Sequence, residues 1–251
     1  MVKAKKSLGQ HFLIDQDVVH QIIDGICELK IENIVEVGPG EGVLTDLLLP
    51  VYPNMMMVEL DRESIAHLRA NHPSLGEKLV EADVLKWSLP EGNWTIVGNF
   101  PYNISSQIIF KMIENREQVN ALVGMFQKEV AERIVAPSGS KTYGILSVLT
   151  QAFYNAEYLF TVSENAFRPP PKVKSGVIRL VKKENIELNC DVPFFFSLVK
   201  QAFNQRRKMM RNSIKAYLTD ENIIHVEKYL TMRPEQLDFE DFVMLARHLK
   251  P

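Results

Sequence analysis

The chain has 251 residues, 46% of them hydrophobic and 24% charged, with a formal net charge of −2. That length can bury one large core, or a large and a small one, and the near-neutral balance excludes a protein that is basic throughout. Cys27 and Cys190 are the only cysteines, too few for a disulfide framework or a zinc site, so a reducing, cytoplasmic setting is expected.

The opening stretch, MVKAKKSLGQHFL, is basic but lacks the apolar centre of a signal peptide. Lys3, Lys5 and Lys6 read as a small arm, loose until a partner binds. Apolar runs at ENIVEVG, NMMMVEL, EKLVEADV, WTIVGNF and ALVGMFQ read as strands. Helical spacing falls between them at 43–49, 62–70, 105–115 and 128–135. This alternation predicts an α/β fold with a doubly wound, parallel, Rossmann-like sheet. Ligands of such sheets sit outside the carboxyl ends of the strands. Beyond about residue 185 the pattern is helical only, which predicts domains at 1–188 and 189–251, the second small and all-helical. No run approaches a membrane span and no histidine pair has HExxH spacing, so neither a membrane nor a metal is expected.

The turn VEVGPGEGVLT carries Gly38, Gly40 and Gly42 from a strand into a helix. Glycine there lets a ligand approach the backbone. The turn departs from GxGxxG, and Glu36 and Glu41 beside it would repel a pyrophosphate. Glu59 ends the next strand, 21 residues after Gly38, where an acid binds a ribose diol. Asp83 follows the third strand and can accept from an adenine amino group. Any one of these acids could be a helix cap, as Asp61 in ELDRES could be. Together they describe a ribose and an adenine without phosphates, which is S-adenosylmethionine.

Asn99 ends the fourth strand on the same rim and opens Asn99-Phe100-Pro101-Tyr102. The exocyclic amine of adenine is a poor nucleophile because its lone pair is delocalised into the ring. Two oxygens accepting both amine hydrogens favour a pyramidal, reactive nitrogen. The Asn99 side-chain carbonyl and the Phe100 main-chain carbonyl suit that task. Pro101 biases Phe100 away from the α region, and Tyr102 offers a ring for an unstacked base.

NFPYNISS resembles the NLPYNIS motif of rRNA adenine dimethyltransferases. SLGQHFLID is similar to their N-terminal GQNFL segment, VEVGPGEGVLT to their first cofactor motif and VELD to their second. FRPPPKVKSGVIRL and AFNQRRKMMRNSI resemble the KsgA branch of that family, which acts on small-subunit rRNA; the matches run from Ser7 to about Leu218. The resemblance implies a class I methyltransferase that dimethylates N6 of two adjacent adenosines in the hairpin loop near the 3′ end of small-subunit rRNA. It implies a cofactor site at His11, Leu13, Gly38, Glu59, Asp83 and Asn99. His11 stands where the family has Asn, and Phe100 where it has Leu. An immature small ribosomal subunit is the expected partner, and nothing demands more than a monomer.

Residues 166–218 hold 12 Lys or Arg against 3 Asp or Glu, a net of +9 that leaves −11 for the rest. This asymmetry predicts a polyanion on one face. Arg206, Arg207, Lys208 and Arg211 are the candidate phosphate ligands, with Arg207 and Arg211 spaced to share one helix. The resemblance places FRPPPK near the site, where Phe167 would stack on the adenine. The cluster Phe194–Phe196 reads as helix core. Three alternatives share parts of this pattern: an assembly factor acting by binding, an adenine methylase of large-subunit rRNA or DNA, and a nicotinamide oxidoreductase.

Overall fold

The computed structural model describes residues 2–184 and 188–250. In chain order the elements are β1 (Phe12–Leu13), α1 (Gln16–Cys27), β2 (Asn33–Val37), α2 (Thr45–Leu48), β3 (Met56–Glu59), α3 (Arg62–Asn71), β4 (Leu79–Glu81), β5 (Trp94–Asn99), α4 (Ser105–Glu114) and β6 (Val119–Gln127). They continue with α5 (Lys128–Val135), α6 (Ile145–Phe153), β7 (Tyr154–Val162), β8 (Phe167–Arg168), β9 (Ser175–Lys182), α7 (Val192–Asn204), α8 (Met210–Ser213), α9 (Ile223–Val226) and α10 (Phe239–Leu249). Short 3-10 turns join several of these.

Seven strands form one sheet in the order β4-β3-β2-β5-β6-β9-β7. β2, β3, β4, β5 and β6 are parallel. β5 and β6 are buried along nearly their whole length, as strands covered on both faces must be. The order reverses between β2 and β5, so the carboxyl ends of β2, β3, β4 and β5 open onto one crevice. The doubly wound architecture is the expected one, with an addition: β9 runs antiparallel to β6 from Ala121↔Val181 to Gln127↔Ser175, making the sheet mixed.

Helix starts follow from side chains. Asp15 caps α1 by accepting from Asp17 N and Val18 N, and α1 buries Val19, Ile22 and Ile26. Asp61 caps α3 through Glu63 N. Asp191 caps α7, which buries Phe195, Leu198, Val199 and Ala202 on one stripe. Phe195 is fully buried, while Phe194 and Phe196 make edge contacts with Tyr217 and Phe153.

The chain divides into two compact units, Met1–Ala131 with Ala156–Lys182, and Glu132–Asn155 with Lys183–Pro251. The second unit therefore takes in Glu132–Asn155 besides the C-terminal helices. Among the described residues no helix is long and apolar enough to cross a membrane. Nor, among the described residues, is any cluster of three or more His, Cys, Asp or Glu placed to hold a metal ion.

Candidate active site

The first unit contains a cavity of about 200 Å³ at the carboxyl ends of the strands. Its wall is built from sequence-distant pieces: Leu8 to Leu13, the glycine turn, Glu59 and Leu60, Asp83, and Asn99 to Ile104. His11, Leu13, Gly38, Glu59, Asp83, Asn99, Phe100, Pro101 and Tyr102 all line it.

The glycine turn is fixed by Gly38 N donating 2.9 Å to Val58 O, carrying the backbone across from β2 to β3. Gly40 has φ +60°, and a Cβ there would sit 3.0 Å from the Phe12 ring. Only glycine meets both demands. Glu59 Oε2 accepts from Gly40 N at 3.1 Å, and Oε1 from Leu60 N and Asp61 N at 2.8 Å each. Burial pushes the Glu59 carboxyl above its ordinary range, opposed by those three N–H donors. Asp83 Oδ1 accepts from Leu85 N at 3.0 Å, which orients its carboxylate at the cavity edge.

The two acids beside the turn behave differently. Glu36 is 1% exposed and accepts from Thr45 Oγ1 at 2.6 Å. Burial pushes its carboxyl up to about 8. Glu41 accepts from Val2 N at 2.8 Å and pairs with Arg168 Nη2 at 3.1 Å.

The N-terminal segment is pinned rather than loose. Lys5 Nζ pairs with Asp61, and with Glu63 at 3.1 Å, and Gln10 Nε2 donates to Asp61 Oδ2 at 3.1 Å. The basic start cannot show this, because the acids lie more than fifty residues further along. β1 pairs antiparallel with β8 through Leu13↔Phe167 and Phe12↔Arg168.

Asn99 Nδ2 donates 2.8 Å to the main-chain carbonyl of His11. A carbonyl can only accept, so this bond sets the amide's orientation and turns Oδ1 the other way. Phe100 N donates to Met125 O at 3.2 Å. The Phe100 ring is 1% exposed, packs on Phe126 at 5.0 Å between centroids, and lies over Gly124. Among the described residues neither Asn99 Oδ1 nor Phe100 O receives a hydrogen bond. Tyr102 hydrogen-bonds Ser175 Oγ through its hydroxyl. Burial pushes that hydroxyl up, so it is a neutral phenol. One face of its ring is taken by His11, at 5.4 Å and 29°, whose Nδ1–H donates to Pro169 O at 2.7 Å.

The remaining candidates lie elsewhere. Phe167 is 2% exposed, sits in the core with Leu13 and Val177, and does not line the cavity. Its ring is therefore not placed to stack on a base; strand pairing with β1 turns it inward. In the second unit α7 ends at Asn204, so Arg207 and Arg211 do not share a helix. Met210 N and Arg211 N donate instead to Met232 O and Leu230 O, bonds between distant residues that end the helix and start a new turn. Arg207, Lys208 and Arg211 are exposed, whereas Arg206 is half-buried against Ser140 and Lys141. Gln10, Phe12 and Leu60 also line the cavity, beyond the residues that the sequence points to. Leu60 carried a signal: an apolar residue directly after Glu59, here 52% exposed at the cavity.

A buried acid at the end of the second parallel strand, a glycine turn and an apolar lip at Leu60 fit a ribose and an adenine. The fold and site define a class I, S-adenosylmethionine-dependent methyltransferase. Residues 1–246 match the family described as ribosomal RNA adenine dimethylase. A protein of Flavobacterium johnsoniae named ribosomal RNA small subunit methyltransferase A is 50% identical over 99% of this chain and 97% of its own length. A protein of the same name from Bacteroides thetaiotaomicron is 50% identical over 100% and 95%. Among solved structures, a dimethyladenosine transferase from Plasmodium falciparum superposes with TM-score 0.81 at 26% identity, covering 94% of this chain and 96% of that one. The 23S rRNA methyltransferase ErmE, at 23% identity and TM-score 0.74, shares the fold over 95% of this chain and 99% of its own. The chain belongs to the ribosomal RNA adenine dimethylase family.

Proposed function

We propose that this enzyme dimethylates N6 of two adjacent adenosines in the 3′-terminal hairpin loop of small-subunit rRNA, within the immature subunit, as a cytoplasmic monomer. The observation that carries the mechanism is the pair of unpaired acceptors, Asn99 Oδ1 and Phe100 O, on the rim shared with Glu59 and Asp83.

Each residue then has a task. Glu59 takes the ribose diol and Asp83 the adenine amine of the cofactor, with Leu60 against the base. His11 and Leu13 close the same side. Bound S-adenosylmethionine supplies a methyl group on a positively charged sulfur. Asn99 Oδ1 and Phe100 O accept the two hydrogens of the target amine and draw its lone pair out of the ring plane. Pro101 holds the Phe100 carbonyl extended. Tyr102 offers the ring face that His11 leaves open to the unstacked base. The amine loses its proton after transfer, and no side chain here needs to act as a dedicated base. Catalysis is positioning and preorganised electrostatics.

Exposed Arg207, Lys208 and Arg211 fit phosphate contacts in the second unit. Methyl incorporation into undermethylated small subunits tests the mechanism. Asn99→Ala should lower turnover about 100-fold or more, and unchanged turnover would remove Asn99 from it.

A further inference from the structure

Arg206 differs from its neighbours in the run Arg206-Arg207-Lys208. Its Nη2 donates to two main-chain carbonyls, Ser140 O at 3.3 Å and Lys141 O at 2.7 Å. Its Nε lies 3.8 Å from Glu235 Oε2. The same loop is held a second time by Gly139 N, 2.6 Å from Glu235 O. These residues all belong to the second unit. The foot of the loop contains two buried polar atoms without a hydrogen bond among the described residues, Ser140 Oγ and Glu235 Oε2.

The tip is open. Pro137, Ser138, Gly139, Lys141 and Thr142 are exposed, and a Cβ at Gly139 would meet nothing within 4 Å. Lys141 has no carboxylate partner among the described residues, and the same holds for Arg207, Lys208 and Arg211. The bond from Arg206 Nη2 to Lys141 O sets the main chain of residue 141 one arginine side chain away from the backbone that carries Arg207 and Lys208.

We infer that the loop 137–142 is a second rRNA-contact element, in which Lys141 meets a phosphate and Arg206 is a positioning residue that holds the loop for it. The inference rests on small-subunit rRNA being the substrate. Unpaired cations presented from fixed backbone suit a polyanion, because each phosphate neutralised releases condensed counterions.

The test is binding of a transcript spanning the 3′-terminal hairpin of small-subunit rRNA, measured by anisotropy across a salt series. Lys141→Gln should weaken binding and lower the slope of log K against log salt by about 0.7–0.9, one phosphate's share. Arg206→Gln should weaken binding at least as much, and adding Lys141→Gln to it should cost nothing more. Arg206→Lys, which keeps one donor, should recover part of the loss. Unchanged affinity and slope in Lys141→Gln would overturn the inference, as would strictly additive losses in the double variant. Lys141 lies on an exposed tip, so its variant stays informative if Arg206→Gln unfolds. Absence of salt-dependent binding by the wild type would instead overturn the rRNA reading itself.

Discussion

A methyl group on Gly124 would lie 2.1 Å from Cε2 of the Phe100 ring. Gly124 pairs with Gly98 across β5 and β6, and the ring fills the space that both glycines leave. The ring is the anchor, and the proposed mechanism gives the carbonyl of the same residue the task of accepting from the target amine. Gly124→Ala should cost about 1–3 kcal/mol through overpacking and lower the melting temperature. It should also reduce methyl transfer about 10-fold or more, because Phe100 O moves with the ring.

Phe100→Leu trims the anchor without touching the carbonyl. It should cost roughly 1–3 kcal/mol of stability and leave turnover within a few-fold. Combined with Gly124→Ala, the shorter side chain should relieve the clash, so the double variant should be more active than Gly124→Ala alone. Melting curves and methyl incorporation on the four proteins check this. Strictly additive losses would separate the ring from the placement of the carbonyl.

Tyr102 divides into a ring and a hydroxyl. Tyr102→Phe loses only the bond to Ser175 and should keep most of its turnover. Tyr102→Ala loses the stacking surface and should lose roughly 5- to 150-fold. Equal losses in both variants would assign the effect to the hydroxyl instead.

Glu59→Gln keeps the shape but turns an amide NH2 toward main-chain N–H donors that now find a carboxylate. An unsatisfied donor costs about 1–3 kcal/mol, so cofactor affinity by titration calorimetry should fall about 10-fold or more. An unchanged Kd would free Glu59 from the cofactor site.

Glu36 gives the stability a pH slope. Its carboxyl is raised from 4.5 to about 8 by burial. Between those values the folded chain holds a proton that the unfolded chain has released, so the stability this group contributes is full below about pH 4.5. It is lost as pH rises toward 8, at no more than about 1.4 kcal/mol per pH unit. Glu36→Gln, which cannot titrate, should flatten the fall in melting temperature between pH 5 and 8. An identical pH profile in the variant would mean that Glu36 is ionised throughout.

Much of this was legible in the sequence. Continuous apolar runs marked β2, β3, β5 and β6, and the acids and Asn99 stood at their ends because strand ends are where a parallel sheet exposes its rim. Contacts between distant segments were not legible. The Asn99–His11 bond spans 88 residues, and the Lys5–Asp61 pair spans 56. Helical spacing suggested that Arg207 and Arg211 share a face, but main-chain bonds to residues 230 and 232 break the helix between them. Phe167 carried no sign of its burial, since its inward turn is set by pairing with Leu13. Nor did Arg206, one of three adjacent cations, show that its guanidinium is committed to a loop far back in the chain.

The central claim concerns where one amine points. A structure of the enzyme with S-adenosylhomocysteine and an adenosine-containing RNA measures it directly. The account predicts N6 of the target base within hydrogen-bond distance of both Asn99 Oδ1 and Phe100 O, with its ring on Tyr102. A base seated in the cavity with N6 bonded to neither oxygen would contradict it.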